Sequence, residues 1–402
     1  MLTLLLDKPE NLLASAESLL QHHYGISATL QELAGEVDLN FLAIANDGNR
    51  YVLKISGPAA DVEELTFQGA ILQHLRAKKL PFAIPAPVAN PDGTHLVPLT
   101  DQNGAVRYMR VQTWVDGQML AEVKPRSAAL LQNWGATAAA LNQALADLDH
   151  PQAHRPYKWD PSRSLESRPH AQWFTPPQKA IADYFWNRFE DEILPRLKEL
   201  PSGVNYNDAH EMNLLVAYEG QAATICGVID FGDALYTHTI NELAIACAYG
   251  AMELPDPLTA ACQLVKGFHV VRPLAEKELA VLYDMIAARL LITVATAAAN
   301  LQAEPDNPYL QVSAKPAWQL LEKWRSIPPQ LAHYRFRSAC ALEAVPKRLA
   351  FREWMSQQPT FHQIMPLAGT RITPLDLSVS SLDLGNNDQF LTIGPFSRKV
   401  ES

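Results

Sequence analysis

Residues 9–24, PENLLASAESLLQHHY, set Leu12, Leu13, Ala16, Leu19 and Leu20 on one face at helical spacing. The pattern then changes character. NFLAIA and RYVLKIS alternate with period two on either side of Asn46-Asp47-Gly48-Asn49. An Asp-Gly between alternating apolar runs predicts a hairpin. Over 58–75 a helical period returns, with Asp61 placed to cap it and Leu65, Ile71, Leu72 and Leu75 forming its apolar face. Pro81, Pro85, Pro87 and Pro91 break the pattern, and THLVPL and VRYMRVQTWV read as two further strands around Asn103-Gly104. Residues 1–112 thus predict a small, mostly antiparallel β lobe with one inserted helix, and Asp116-Gly117 marks the hinge.

The rest, to about 345, reads as helical, over 127–148, 177–200, 240–252, 258–267, 275–300 and 317–326. Embedded there is a β-rich island, 205–231, whose strands NLLVAY and TICGVIDF are joined at Glu219-Gly220. The predicted class is α+β, with a small sheet lobe (1–112) and a large, mostly helical lobe (113–345). In the tail, 346–402, TRITPLDLSVSSLDLG and DQFLTIGPF alternate without an evident partner, which predicts an appendage or a linker to a further domain.

At 402 residues, 48% hydrophobic and 19% charged, the chain has room for two or three cores. A net charge of -10 without Lys/Arg clusters argues against nucleic-acid binding, which needs many cationic phosphate contacts. It suits a soluble enzyme that would not repel a cationic substrate. Cys226, Cys247, Cys262 and Cys340 show neither C-x-x-C nor zinc-ligand spacing and read as free thiols in a reducing compartment. The apolar start is too short for a signal-peptide core, and 287–299 is too short to span a bilayer and contains Arg289. The expectation is a cytoplasmic protein without a membrane segment.

The chemistry concentrates in Asn205-Tyr206-Asn207-Asp208-Ala209-His210-Glu211-Met212-Asn213 and Ile229-Asp230-Phe231-Gly232-Asp233. Phosphoryl transfer to an alcohol needs a carboxylate that orients the hydroxyl and takes its proton. It also needs an amide oxygen and a second carboxylate to hold magnesium against the phosphates. Asp208, Asn213 and Asp230 supply that set, and the hairpin between them would bring Asp230 beside Asn213. Lys54, in the strand Val-Leu-Lys-Ile, can reach nucleotide phosphates if a group on the following helix steadies it. Glu64 and Gln68, one turn apart, are the two choices.

Further candidates have bland readings beside the sharp ones. His210 either meets the acceptor or packs in its loop. Asp233 and Glu242 can hold a substrate ammonium group, although Glu242 also suits a structural carboxylate near a helix start. Arg289, in an apolar helix, is expected to bond a carboxylate of the large lobe. Trp114, Trp134, Trp159 and Trp173 either wall an amine site or pack as core.

Together these motifs resemble the aminoglycoside phosphotransferase and choline kinase superfamily, whose fold is like that of protein kinases, over about 10–345. Asp38–Phe41 (DLNF), Glu64–Gln68 (ELTFQ), Ile229–Asp233 (IDFGD) and Asn241–Tyr249 (NELAIACAY) are similar to the hydroxylysine kinase-like branch. The resemblance implies Asp208 as catalytic base, Asn213 and Asp230 as magnesium ligands, and Lys54 as the phosphate lysine. It also implies a loop around Asn40 over the phosphates, and base recognition by the hinge backbone at Thr113 and Val115. ATP or GTP would be the donor, and a small hydroxylated amine or amino acid, hydroxylysine-like, the acceptor. The tail segment PLDLSV (Pro374–Val379) is similar to the linker of bacterial fusions carrying a class III aminotransferase-like domain.

The chain departs from the pattern twice. Tyr206-Asn207-Asp208 stands where His-Gly-Asp is usual, and Gln68 falls where a Lys-pairing Glu is usual. A non-catalytic nucleotide-binding module therefore stays open, as does a metal-dependent hydrolase, which would leave Lys54 unexplained.

Overall fold

The computed structural model describes residues 3–6, 8–35, 38–303, 313–350 and 353. The sheet lobe contains α1 (Pro9–Tyr24), β1 (Ala28–Leu33), β2 (Leu39–Ala45), β3 (Arg50–Ile55), α2 (Val62–Arg76), β4 (Pro87–Val88), β5 (Val97–Thr100) and β6 (Val106–Thr113). The strands form one antiparallel sheet in the order β1-β2-β3-β6-β4, with β5 also on β6. Asp61 caps α2 as its position predicts, accepting the Glu63 amide at 2.9 Å.

Register decides what faces the cleft. Asn40 pairs with Lys54 across β2–β3, and Lys54 pairs with Arg110 across β3–β6. Paired residues share a face, so Asn40, Lys54 and Arg110 form one polar row. The alternate residues Phe41, Leu53 and Val111 point the other way, into a core closed by Leu19 and Leu20 of α1.

The large lobe follows with β7 (Gln118–Met119), α3 (Ala128–Ala144), a 3-10 stretch (Pro161–Trp173), α4 (Pro176–Arg188), α5 (Leu194–Leu197), β8 (Ser202–Asn205), β9 (Leu214–Glu219), β10 (Ala222–Val228), β11 (Leu235–His238), α6 (Ile240–Ala251), α7 (Pro257–Val271), α8 (Glu276–Leu279), α9 (Leu282–Ala303), α10 (Ala314–Arg325) and α11 (Pro329–Ala339). Its core gathers Trp134, Trp186, Phe268 and Trp324. Helices α3 and α7 touch backbone to backbone, because a Cβ at Gly135 would strike Leu264 O and one at Gly267 would strike Gln132 O. Helix α9, with 22 residues, has the length and apolar composition to cross a membrane, yet its most apolar window is 83% buried inside the protein.

Helix α2 is sheet-lobe chain with a large-lobe allegiance. Its Phe67, Ile71, Leu72 and Leu75 belong to the large-lobe core. Just beyond it, Ala83 is stitched to β10, its amide donating to Cys226 O at 2.8 Å and its carbonyl accepting Val228 N at 3.0 Å.

Some expectations need correcting. The helix expected over 177–200 breaks at a π-helical turn, Phe189–Ile193. Pro195 has no amide to donate to Asp191 and crowds that carbonyl. The helix expected over 275–300 is split into α8 and α9. Separately, Met1–Cys340 forms one compact unit that holds both lobes. The strand-like runs of the tail lie outside the described residues.

Candidate active site

The loop between β8 and β9 carries Asp208. Its entry is fully buried, with Tyr206 and Asn207 each 0% exposed. Tyr206 Oη donates to Ile229 O at 2.6 Å, and its ring packs on Phe231 with centroids 4.9 Å apart. The tyrosine thus ties the Asp208 loop to the Asp230 loop. Asn207 adopts φ 64, a left-handed conformation that Asn tolerates better than most residues. Beneath it Glu242, 0% exposed, accepts the Asn207 amide at 3.0 Å. Burial pushes the Glu242 carboxyl up to about 8, so it keeps its proton at neutral pH. This corrects the expectation of an ammonium-binding role, since a carboxyl sealed under the loop has no face for a substrate.

Asp208 is gripped from three sides. Asn213 Nδ2 donates to its Oδ2 at 2.6 Å, Arg289 Nη2 donates to its Oδ1 at 3.1 Å, and His210 Nε2 lies 3.3 Å from its Oδ2. Burial opposes ionisation, but His210, Arg289 and Asn213 hold its pKa below the usual carboxylate range. His210 responds in kind. Burial disfavours its charge, yet the Asp208 carboxylate lifts its pKa above the usual value. Arg289, 2% exposed, lies over Trp159 and Tyr249 at 4.9 and 5.4 Å and also donates to Trp159 O at 2.9 Å. Its expected carboxylate partner is therefore Asp208 itself.

The β9–β10 hairpin delivers the remaining pieces. Val228 pairs with Leu214, and Ile229 N donates to Asn213 O at 2.9 Å, so Asp230 follows directly beside Asn213. Asp230 has φ 57 and a half-exposed side chain whose Oδ2 lies 3.5 Å from Lys54 Nζ. Asn213 and Asp230 offer oxygen donors only, one amide and one carboxylate. That set fits a magnesium ion that completes its coordination with phosphates and water.

Neither helix residue steadies Lys54. Glu64 Oε1 meets Arg155 at 3.2 Å, while Gln68 Oε1 accepts from Arg110 Nη2 at 3.3 Å. The same Arg110 Nη2 donates to Asp38 Oδ2 at 2.7 Å. Asn40 Nδ2 is turned back onto its own loop, at 3.3 Å from Ala34 O and 3.4 Å from Asp38 O. At the hinge, the Thr113 amide and hydroxyl are both engaged with Ala86 at 2.9 Å, and Val115 is 7% exposed.

Asp233 lies three residues beyond Asp230. Its Oδ1 accepts Tyr157 Oη at 2.5 Å, and it forms no salt bridge among the described residues. Burial first, then the nearby Asp208 charge, raise it to about 7. Of the four tryptophans considered, Trp159 lies against Arg289, and Trp134 donates from Nε1 to Ala209 O in the Asp208 loop at 2.9 Å. Trp134 is 0% exposed core, Trp173 stacks on His170, and Trp114 hydrogen-bonds Asp116. Arg110, Arg155 and Tyr157 escaped the sequence reading. Only the β3–β6 register could have flagged Arg110.

The Phosphotransferase enzyme family profile (APH) matches residues 29–274, from β1 through the segment after α7 and including Lys54, Asp208, Asn213 and Asp230. The chain belongs to this family. It is a phosphotransferase acting on a hydroxyl of a small molecule, of the hydroxylysine kinase-like branch. Hydroxylysine kinase of Mus musculus is 26% identical over 338 residues, covering 79% of this chain and 90% of that protein. Hydroxylysine kinase of Xenopus laevis is 28% identical over 333 residues, covering 76% and 88%. Among solved structures, a microcompartment-associated aminopropanol kinase superposes with a TM-score of 0.60 at 18% identity, covering 83% of this chain and 100% of that one. Amicoumacin kinase hAmiN in complex with AMP-PNP, Ca2+ and Ami gives 0.59 at 17% identity, covering 79% and 94%. The two-lobed, protein-kinase-like fold expected from the motifs is the fold of these phosphotransferases.

Proposed function

We propose that this small-molecule kinase moves the γ-phosphoryl group of ATP or GTP onto the hydroxyl of an amino-alcohol or hydroxy-amino acid, with hydroxylysine or a close analogue as acceptor. The observation that carries the reading is the convergence of Asp208, Asn213, Asp230 and Lys54 at one cleft, within the contacts given above. Asp208, held ionised, orients the acceptor hydroxyl and takes its proton as the new P–O bond forms. The bond from the γ-phosphorus to the bridging oxygen breaks, and the nucleoside diphosphate leaves. Lys54 moves from Asp230 to the phosphates when nucleotide enters. Magnesium bound by Asn213 and Asp230 would neutralise phosphate charge.

Asp233 supports an amine on the acceptor. It is a half-buried carboxyl with no salt bridge among the described residues, and a substrate ammonium is the group that would restore its charge. The names of the relatives agree in kind, since hydroxylysine and aminopropanol both pair an amine with a hydroxyl. Tyr206, bonded to Ile229, gives the loop a holder where His is usual, which favours a working site over a non-catalytic module.

The test is nucleoside diphosphate release with magnesium, ATP or GTP, and a panel of amino-alcohols and hydroxy-amino acids including 5-hydroxylysine. Acceptor-dependent release that falls at least about a hundredfold in Asp208→Asn is expected. Bound nucleotide without release for any acceptor would sink the reading in favour of a binding module. Phosphoester cleavage without nucleotide would point to a hydrolase.

A further inference from the structure

Arg110 is the least explained charge in the cleft. It sits on β6 directly opposite Lys54, 8% exposed, with Nε and Nη1 enclosed and without a hydrogen-bond partner among the described residues. A guanidinium placed this way beside an ammonium is unfavourable unless something offsets it. Only Nη2 is engaged, by Asp38 Oδ2 at 2.7 Å and Gln68 Oε1 at 3.3 Å. Those two partners come from different elements. Asp38 ends the loop that leads into β2, and Gln68 lies on α2.

Kinases of this general fold join the phosphate lysine to the neighbouring helix by a carboxylate. Here the helix carboxylate Glu64 is turned to Arg155, and the nearer helix residue, Gln68, is neutral. A neutral amide cannot hold an ammonium by charge, but its oxygen can accept from a guanidinium. The link from sheet to helix therefore runs through the next strand, and it takes in the loop as well.

We propose that Arg110 is a positioning residue for the nucleotide phosphates, tying the entry to β2 through Asp38 to helix α2 through Gln68. Lys54 is thereby left without a helix carboxylate and remains available to the triphosphate. Asp38 neutralises Arg110, so the Lys54 charge faces the phosphates undiminished. Asn40, whose Oδ1 is also enclosed without a partner among the described residues, completes the row and donates from β2 to Ala34 O and Asp38 O.

The inference rests on the nucleotide site of the proposed function, so the test reads nucleotide binding directly, without acceptor. The full chain would be titrated calorimetrically with magnesium and the non-hydrolysable analogue AMP-PNP, as wild type, Arg110→Met, Arg110→Lys, Asp38→Asn and Arg110→Met/Asp38→Asn. In parallel, KM would be measured for nucleotide and for acceptor. Arg110→Met and Asp38→Asn should each weaken nucleotide binding about tenfold, as loss of one charge-assisted hydrogen bond predicts. The double variant should be no worse than the worse single one. Arg110→Lys should recover part of the loss, and acceptor KM should stay within about twofold. Wild-type binding with Arg110→Met unchanged would overturn the inference alone, as would equal rises in both KM values or additive losses in the double variant. A wild type that binds no nucleotide would overturn both the inference and the function it rests on.

Discussion

Arg289 donates from Nη2 to Asp208 Oδ1 across 3.1 Å, joining the middle of α9 to the carboxylate of the β8–β9 loop. The guanidinium is itself sandwiched near Trp159 and Tyr249, so its position is fixed on every side. Breaking one partner of such a pair leaves the other charge stranded. Arg289→Met should lower stability by about 3 kcal/mol, seen as a reduced midpoint in urea unfolding. It should also reduce kcat while leaving nucleotide affinity within about twofold. An unchanged kcat would show that Asp208 needs no such anchor.

Asp233 makes acceptor binding depend on pH. Burial and the Asp208 charge raise it to about 7, so its ionised fraction falls as pH drops through that value. If it holds the ammonium, acceptor KM should rise by roughly tenfold per pH unit below 7, while nucleotide KM moves far less. Asp233→Asn should show a high acceptor KM at every pH. An acceptor KM that is flat from pH 6 to 8 in the wild type would remove Asp233 from the amine site.

Glu242 predicts a stability trend of definite sign. Its pKa is raised from 4.5 to about 8 on folding, chiefly by burial. The unfolded chain therefore releases this proton first, and the contribution from Glu242 declines as pH rises between those two values. Glu242→Gln keeps an acceptor for the Asn207 amide but has no proton to lose. Its melting temperature should fall less between pH 5 and 8 than that of the wild type, by a few degrees. Parallel melting curves would show that Glu242 does not titrate as described.

Tyr206→Phe removes only the hydroxyl that reaches Ile229 O. The ring contact with Phe231 survives. A loss of about 1 kcal/mol is expected, with a several-fold fall in kcat as the two catalytic loops loosen. A variant as active as the wild type would show that ring packing alone aligns them.

Much of this arrangement was legible before any coordinates. Helix α2 with its Asp61 cap, the β2–β3 and β9–β10 hairpins, and the set of Lys54, Asp208, Asn213 and Asp230 all follow from local periodicity and spacing. The features that escaped depend on distant pairing. Strands β8 and β11 have four residues each, and their paired residues lie 30 (Asn205 to Leu235) to 36 (Ser202 to His238) positions apart in sequence, so neither carries a local signal. The 3-10 stretch Pro161–Trp173 is polar and interrupted by Pro169, without a period to read. Glu64 and Gln68 stand as two choices for Lys54 in the sequence because helix facing is invisible without knowing which core the helix joins. Arg289 could be read correctly because a charge amid apolar neighbours must have a partner.

That allegiance of α2 has a consequence for control. With Phe67, Ile71, Leu72 and Leu75 rooted in the large-lobe core, the helix is carried with the lobe that holds Asp208. Bending at the hinge would load the Arg110–Gln68 contact, a side-chain tie between that helix and β6. A protein built so keeps α2 in step with the Asp208 loop, and opening of the cleft would be felt first at Gln68.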